Sequence, residues 1–417
     1  MTNMPSSPLS LPLRNPVFRM LWLAWLAGNM TMWMNDVSAA WLMAELTEGP
    51  MMVALVQASA SLPLFLLGLP SGALADLVNR KRLYAFAQFW IALVSIALAV
   101  LAAGGWMTAH WLLLLCFANG IGLAIRFPVF AAIMPTLVPR EQLISALTLN
   151  ALAINVSRIA GPLLAGVVIA SMGMGAVFTL NAALSLLSCA LILKCGPQAE
   201  KSAARGQGFW ATMRGGLIFL RTSKPMQNIL LRIFVFFVHS IGLIALLPLV
   251  ARGLHATATT YTMLLASMGV GAIVTGLTMP RISNAASPDR IVAGGVVLYA
   301  AATATVALTS SFWLIGLALA VSGGVWLSVV NTITMSAQLV LPNSLRARGM
   351  AIYQMAIMGG SAAGAALWGQ VATHTSVSIA LLASAATSLV VLWLTHRITV
   401  QIEAHHDLTL PTAPVSS

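Results

Sequence analysis

Five ionisable side chains of this sequence lie inside long apolar stretches, where a charge finds few partners. They are Asp36, Arg126, Arg158, Arg232 and His239. Asp36 is the one carboxylate placed deep inside such a stretch. Burial disfavours its charged form and a neighbouring Arg favours it, so a carboxylate that changes partner between two conformations binds and releases a proton. The alternatives are a static Asp–Arg pair that holds helices together, and an Asp that is wetted from outside.

The rise of a helix indicates which arginine is the partner of Asp36. At 1.5 Å per residue, Asp36 lies roughly 28 Å along the first stretch and Arg158 about 22 Å along the fifth, counted from the same side. Arg126 lies about 22 Å along the fourth stretch, counted from the other side, and is therefore expected lower. We predict that Asp36 and Arg158 form a proton-coupling pair, whereas Arg126 attracts an anionic group of a small-molecule substrate. Arg232 is expected to extend to the membrane interface, and His239 to be a hydrogen-bonded packing residue.

Composition places the chain in a lipid bilayer. Of its 417 residues, 59% are hydrophobic and only 7% are charged, and the mean hydropathy is +0.92. A soluble chain carries about 25% charged residues. A helix needs about 20 residues to cross a bilayer core, and twelve apolar stretches reach that length. They lie at about 17–46, 51–75, 83–104, 110–135, 143–170, 174–194, 225–251, 259–280, 290–310, 312–338, 347–372 and 375–396.

The charge pattern predicts orientation and domain organisation. The formal net charge of +12 would suggest a nucleic-acid partner in a soluble protein, but here the basic residues concentrate on one side of the twelve stretches. Basic segments of membrane proteins stay in the cytoplasm, so we predict cytoplasmic termini and no nucleic-acid partner. One long polar segment divides the chain. The predicted parts are a disordered N-terminus at 1–13, six-helix bundles at 14–194 and 225–397, a cytoplasmic linker at 195–224 and a disordered tail at 398–417.

Polar residues within the stretches predict a central cavity, because lipid offers them no hydrogen-bond partner. Together with Arg126, the candidates to line it are Asn29, Asn35, Gln57 and Asn155. Catalytic patterns are missing from the sequence: it has no Gly-x-Ser-x-Gly, no His and carboxylate set at metal spacing, and no phosphate-binding Gly-Lys-Ser/Thr. The three cysteines are expected to be packing residues. We therefore predict neither an enzyme nor a bound metal or cofactor.

A short basic loop lies between the second and third stretches. Gly72, Asp76, Arg80 and Lys81 follow the pattern G-x-L-a-D-x-x-x-R-[RK]. This pattern resembles the signature loop of the major facilitator superfamily. The resemblance implies a conformational latch, in which Gly72 lets two helices approach and Asp76 pairs with a basic group or caps a helix. Asn79 replaces a Gly of the pattern, which is a mild departure because Asn is among the few residues besides Gly that tolerate positive φ. The alternative is a loop that only anchors the topology.

Other stretches extend the resemblance over nearly the whole chain. Gly161, Pro162 and Gly166 resemble the G-x-x-x-G-P-x-x-G-G motif of superfamily antiporters, in which glycines let helices approach and the proline bends the helix. The sequences at Leu13–Arg19 and Trp33–Met43 are similar to those of a bacterial subgroup, the enterobactin-exporter-like permeases.

The sequence also departs from the superfamily patterns at two further places. Cys116 stands where drug/proton antiporters carry an Arg, so their proton relay does not carry over directly. The second half is expected to repeat the basic loop at 276–281, where Pro280 occupies the position of the Asp. The resemblance nevertheless covers about residues 14–396.

The resemblance implies an all-α membrane protein of twelve helices in two six-helix bundles, the major facilitator fold, in the bacterial inner membrane. It also implies a secondary active transporter that exports a small amphipathic compound, siderophore-like or drug-like, in exchange for protons by alternating access. An uptake permease and a non-transporting membrane sensor or scaffold remain alternatives. The expected partners are a small-molecule substrate, protons and the lipid bilayer, and we expect a monomer.

Overall fold

The structure is a computed structural model that describes residues 11–134, 137–194, 223–341 and 346–396, apart from the side chains at 73, 75–77, 132, 140 and 346–348. Within these ranges the chain is almost entirely helical and contains no strand. A single helical turn, Leu11–Arg14, precedes twelve long helices. These are α1 (Pro16–Leu46), α2 (Pro50–Leu77), α3 (Arg80–Ala103), α4 (Ala109–Ile133), α5 (Leu143–Met172), α6 (Met174–Lys194), α7 (Lys224–Gly253), α8 (Ala258–Ala285), α9 (Pro288–Leu308), α10 (Phe312–Val340), α11 (Arg346–His374) and α12 (Val377–Leu394).

Several helices begin where the sequence provides a cap. The side chain of Asn15 accepts hydrogen bonds from two backbone N–H groups at the start of α1. Asn79, Thr108, Thr257 and Ser376 each accept one such bond at the starts of α3, α4, α8 and α12. The first N–H groups of a helix have no partner within the helix, so these caps allow a new helix to begin after a very short connection.

Eleven of the twelve long helices have the length and apolar composition to cross a membrane. The exception is α1, although its 31 residues make it the longest helix. It carries Asn29, Asn35 and Asp36, and it packs against α5 and α6. The predicted stretches agree with the helices to within a few residues except at the end of α8, which continues past the predicted limit near 280 to Ala285.

The helices form two groups with the same internal packing. In the first, α1 packs on α5 and α6, α3 packs on α4 and α6, and α2 packs on α4. In the second, α7 packs on α11 and α12, α9 packs on α10 and α12, and α8 packs on α10. Each contact recurs six helices later, which confirms the predicted fold of two six-helix bundles. The predicted linker, 195–224, lies almost entirely outside the described residues, so the domain limits stay a prediction.

The residues predicted to repeat the basic loop lie within a helix. Residues 276–281 lie inside α8, which continues through Pro280 and ends at Ala285. Because α2 and α8 both have 28 residues, matching their ends places Asn284 opposite Asp76. Pro280 was taken as the end of the helix, whereas a proline within a membrane helix is tolerated when neighbouring helices satisfy the freed backbone groups.

The two bundles are joined at one side. We call the side on which α1 begins and α12 ends the terminal face, and the other side the opposite face. Arg252, near the end of α7, donates hydrogen bonds to the backbone carbonyls of Ala44 and Thr47 at the end of α1. Several residues of the first bundle also belong to the main apolar cluster of the second, namely Val37, Trp41, Ala54 and Ala58. The bundles therefore share a packed interior toward the opposite face. That the terminal face is cytoplasmic stays a prediction.

Candidate functional site

Arg126 of α4 is fully buried inside the first bundle. Its guanidinium carbon lies 5.2 Å from the ring centre of Trp25 and 5.1 Å from that of Phe127. Its Nη2 lies 3.5 Å from Asn29 Oδ1 and 4.0 Å from Met32 Sδ. In the part of the chain that the structure describes, Nε and Nη1 have no hydrogen-bond partner. A buried cation with unpaired donors is costly, so Arg126 depends on the nearest negative charge.

Asp36 is placed to supply this negative charge. Trp25, Asn29, Met32 and Asp36 are spaced i, i+4, i+7 and i+11 along α1, so they lie on one face of the helix. Asp36 lies one helical turn, about 6 Å, beyond Met32. The charges of Asp36 and Arg126 interact, although no hydrogen bond or ion pair joins the two side chains.

Asp36 also lies close to the second bundle. Its charge acts on Tyr261 of α8 as well as on Cys116 of α4. Tyr261 is buried and stacks on Trp41 of α1, with the ring centres 5.4 Å apart. Val37, the next residue, packs in the apolar cluster of the second bundle, so Asp36 lies beside the junction of the two bundles.

Arg158 of α5 occupies a different junction. Its guanidinium carbon lies 5.4 Å from the ring centre of Trp33 in α1 and 4.9 Å from that of Trp326 in α10. One ring thus comes from each bundle. The predicted contact between Asp36 and Arg158 is not present: no hydrogen bond or ion pair joins the two side chains, and Arg158 contacts Trp33, about one helical turn before Asp36. The prediction used only the height of each residue along its helix. It did not include the direction in which the side chain points.

The predicted cavity residues do not form one cluster. Asn29 is buried, donates to the Trp25 carbonyl at 3.0 Å and accepts from Arg126. Asn35 is buried, and its Oδ1 has no partner within the described residues. Gln57 and Asn155 bond within their own helices, to Ser61 and to the Ala151 carbonyl. Of these four residues, Asn29 is the one that contacts Arg126.

Two polar residues of α3 belong to the same buried region and were missed from the sequence. Gln88 Nε2 donates to Ser188 Oγ of α6, and Ser188 Oγ donates to the Ala24 carbonyl of α1 at 2.9 Å. Tyr84 is fully buried, and its hydroxyl, like Gln88 Oε1, is unpaired among the described residues. An added Cβ at Gly28 would lie 2.5 Å from Arg126 Nη1 and 2.8 Å from Gln88 Nε2. The signal in the sequence is a Gln inside an apolar stretch.

The structure gives information on two residues of the basic loop, Asn79 and Gly72. Asn79 has φ of −64° and caps α3, so it is selected here as a helix cap and not for positive φ. An added Cβ at Gly72 would meet nothing within 4 Å, so the close approach expected there is not seen among the described residues. Arg80 and Lys81 are partly buried. The side chain of Asp76 lies outside the description, and the latch stays a prediction.

The glycines of the α5 motif lie where helices come close together. An added Cβ at Gly161 would lie 2.7 Å from Trp33 Cβ of α1. At Gly166 it would collide with the side chain of Thr262 in α8, which belongs to the second bundle. Pro162 lies inside the helix. The motif thus brings α5 against α1 and against the second bundle.

A separate cavity lies within the second bundle, between α7, α9 and α12. Arg232 and His239 line it. Arg232 donates to the Thr395 carbonyl at 2.8 Å, at the end of α12 on the terminal face. His239 Nδ1 lies 2.8 Å from the Val235 carbonyl oxygen. Both residues are therefore away from the junctions that hold Asp36 and Arg158.

Two matched six-helix bundles with buried charges at their junction define a membrane transporter of the major facilitator type. The chain belongs to the transmembrane secretion effector family, whose sequence profile matches residues 6–413. It is a multi-pass protein of the bacterial inner membrane. Its homologues are transporters, which implies a small-molecule substrate.

Named relatives and solved structures agree with this assignment. Macrolide efflux protein A of Streptococcus pyogenes is 21% identical over 310 residues, which cover 73% of this chain and 72% of that protein. Enterobactin exporter EntS of Salmonella typhi is 24% identical over 365 residues, 87% of each chain. A mutant of the nucleoside transporter NupG has a TM-score of 0.78 at 13% identity, covering 92% of this chain and 100% of that one. A bacterial homologue of the human lysosomal transporter Spinster, inward-facing and unoccupied, has a TM-score of 0.70 at 14% identity, covering 94% and 96%. At identities of 13% and 14%, the likeness to the solved structures shows a common fold and nothing about the substrate.

Proposed function

We propose that the chain exports a small amphipathic compound in exchange for protons, by alternating access of a cavity between its two bundles. The observation that carries this proposal is the position of Asp36, between Arg126 of the first bundle and Tyr261 of the second. Export, as opposed to uptake, is favoured by two relatives that are named as an efflux protein and an exporter.

Alternating access is favoured by the uneven contact between the bundles. The contacts of Arg252 with the end of α1, and the shared apolar cluster, hold the opposite face closed. Along α2 and α11 the bundles also meet nearer mid-depth, where an added Cβ at Gly359 would lie 3.0 Å from the ring of Phe65. A transport cycle then consists of opening the opposite face and closing the terminal face, with the α2–α11 contact as a pivot.

Proton coupling follows from the charge balance at Asp36. An ionised Asp36 compensates the buried guanidinium of Arg126, and a protonated Asp36 does not. The two protonation states therefore favour different arrangements of α1, α4 and α8. A proton shifts the equilibrium between orientations only by its difference in affinity for the two, and Asp36 supplies that difference because its neighbours belong to both bundles. We therefore propose Arg126, and not Arg158 as the helix rise predicted, as the partner of Asp36.

The test is gradient-driven flux in proteoliposomes. Radiolabelled enterobactin and a labelled macrolide are the first compounds to try, since relatives are named for them. With an imposed pH gradient the wild-type protein should accumulate one of them. Asp36→Asn should abolish the dependence on the gradient while leaving binding and passive exchange, and Asp36→Glu should retain part of it. Full gradient-driven accumulation by Asp36→Asn would place the coupling group elsewhere.

Two alternatives have distinct outcomes. An uptake permease predicts that a strain lacking the gene fails to import the compound, whereas an exporter predicts that the compound accumulates inside. A non-transporting sensor predicts no flux of any compound in proteoliposomes. The basic loop around Asp76 is proposed as a latch that stabilises one orientation from the terminal face.

A further inference from the structure

We propose that Arg158, held between Trp33 and Trp326, binds an anionic group of the substrate, so that the transported compound is an amphipathic organic anion. This inference rests on the proposed transport function and adds the class of substrate to it. The sequence alone assigned anion binding to Arg126. From the contacts in the structure we assign anion binding to Arg158 and the pairing with Asp36 to Arg126.

Arg158 is a partly buried cation, and within the described residues no carboxylate pairs with it. Its Nε is fully buried, and its guanidinium lies between two indole rings. Asp36, the one carboxylate deep in a span, interacts with Arg126 instead. A charge taken out of water without a partner costs several kcal/mol. An anion that arrives with a substrate removes this cost, which Arg126 already avoids in part through Asp36.

The guanidinium of Arg158 is oriented by its neighbours but its donors are not all used. Indole rings lie 5.4 Å and 4.9 Å from its central carbon, and such contacts fix the planar group without bonding its N–H groups. Its Nε is buried and unpaired within the described residues. The same is true of Trp33 Nε1, in the ring that Arg158 contacts, and of Ser157 Oγ, in the preceding residue. Arg presents a rigid fork of donors that matches a carboxylate or another oxyanion in two parallel hydrogen bonds.

The site also lies where a transporter must bind its substrate. Trp33 belongs to the first bundle and Trp326 to the second, so the guanidinium spans the junction between them. Trp326 in turn packs against Phe237 of α7, with ring centres 5.8 Å apart, which offers an apolar surface for the rest of an amphipathic molecule. When the bundles separate, Trp326 leaves the guanidinium. The affinity for the anion then differs between orientations, as transport requires.

Equilibrium binding to the purified full-length protein in detergent tests the inference. Three probes share one ring system and differ in charge: 1-naphthoate, 1-naphthamide and 1-naphthylmethylammonium. Binding is measured as the shift of the thermal unfolding midpoint with probe concentration. We expect 1-naphthoate to bind at least about tenfold more tightly than the amide, a difference of about 1.4 kcal/mol. The ammonium probe should not bind measurably.

Variants locate the preference. Arg158→Gln should remove the advantage of 1-naphthoate over the amide, and Arg158→Lys should keep only part of it, because Lys retains the charge without the fork. Trp326→Phe should weaken both neutral and anionic probes without reversing their order. Arg290→Gln, the same change at an exposed arginine, is the matched control.

Three outcomes would overturn the inference: equal binding of amide and carboxylate, a carboxylate preference that survives in Arg158→Lys and Arg158→Gln, or no midpoint shift with any probe. The probe ranking in the wild-type protein remains decisive if Arg158→Gln does not fold. Because binding is measured without a pH gradient, failure here is distinct from failure of proton coupling in proteoliposomes.

Discussion

Replacing Asp36 by Asn and Arg126 by Gln, singly and together, should give losses of stability that are far from additive. Arg126 Nη2 lies 4.0 Å from Met32 Sδ, and Asp36 is one helical turn farther along α1. The two charges are thus roughly 7 Å apart, and at an effective dielectric constant near 20 they interact by about 2.4 kcal/mol. Either single change leaves a charge inside the bundle without its partner, whereas the double change removes both charges. The double variant should therefore lose about 2.4 kcal/mol less free energy of unfolding than the sum of the two single losses.

The assay is unfolding of the purified full-length protein in detergent, with the free energy of unfolding measured for each variant. The matched comparison is the cycle of Asp36→Asn with Arg158→Gln, which should be additive within about 0.5 kcal/mol because these residues lie at different junctions. Two additive cycles, or a larger coupling for Arg158 than for Arg126, would refute the assignment of Arg126 as the partner of Asp36.

Three further changes test the latch and the contacts between the bundles. Asp76→Asn should lower flux at unchanged membrane abundance, and wild-type flux would reduce the loop to a topology anchor. Gly166→Leu should collide with Thr262, at a cost of about 1–3 kcal/mol, and lengthen the distance between spin labels on the two bundles at the opposite face. Adding Thr262→Ala should bring part of the population back to the closed distance. Spin-label distances equal to wild type in Gly166→Leu would show that the collision does not open the opposite face. Arg252→Ala removes hydrogen bonds from a charged donor, worth about 1.5–3 kcal/mol, and should lengthen the same distance, whereas Arg290→Ala, exposed on the terminal face, should not. Unchanged distances in Arg252→Ala would show that the apolar cluster alone closes the opposite face.

The helices could be predicted because membrane crossing restricts both length and composition. The limits of the first and sixth helices, at Leu46 and Lys194, coincide with charged or polar residues that end an apolar stretch. The end of α8 was misplaced because Pro280 and Arg281 look like a terminus, although the helix continues to Ala285. A local pattern does not reveal whether neighbouring helices satisfy the backbone groups that a proline frees.

The site was predicted less completely than the fold. The residue types were sufficient to select Asp36, Arg126 and Arg158, because a charge within an apolar stretch is costly and usually has a function. Their pairing depends on how α1 is rotated against α4 and α5, and the sequence does not give this rotation. Trp326 contributes to the Arg158 junction from a helix nearly 170 positions later in the chain, and nothing local marks it among the many tryptophans.

The burial of the two arginines bears on how the chain enters the membrane. An arginine at the centre of an inserting helix costs about 2.5–3.5 kcal/mol, and α4 and α5 each carry one. The helix that contacts both is α1, which is itself short of the apolar composition that the other helices have. Biogenesis of the first bundle is therefore expected to be cooperative, with α1 staying near the insertion machinery until α4 and α5 emerge and the three helices partitioning into lipid together.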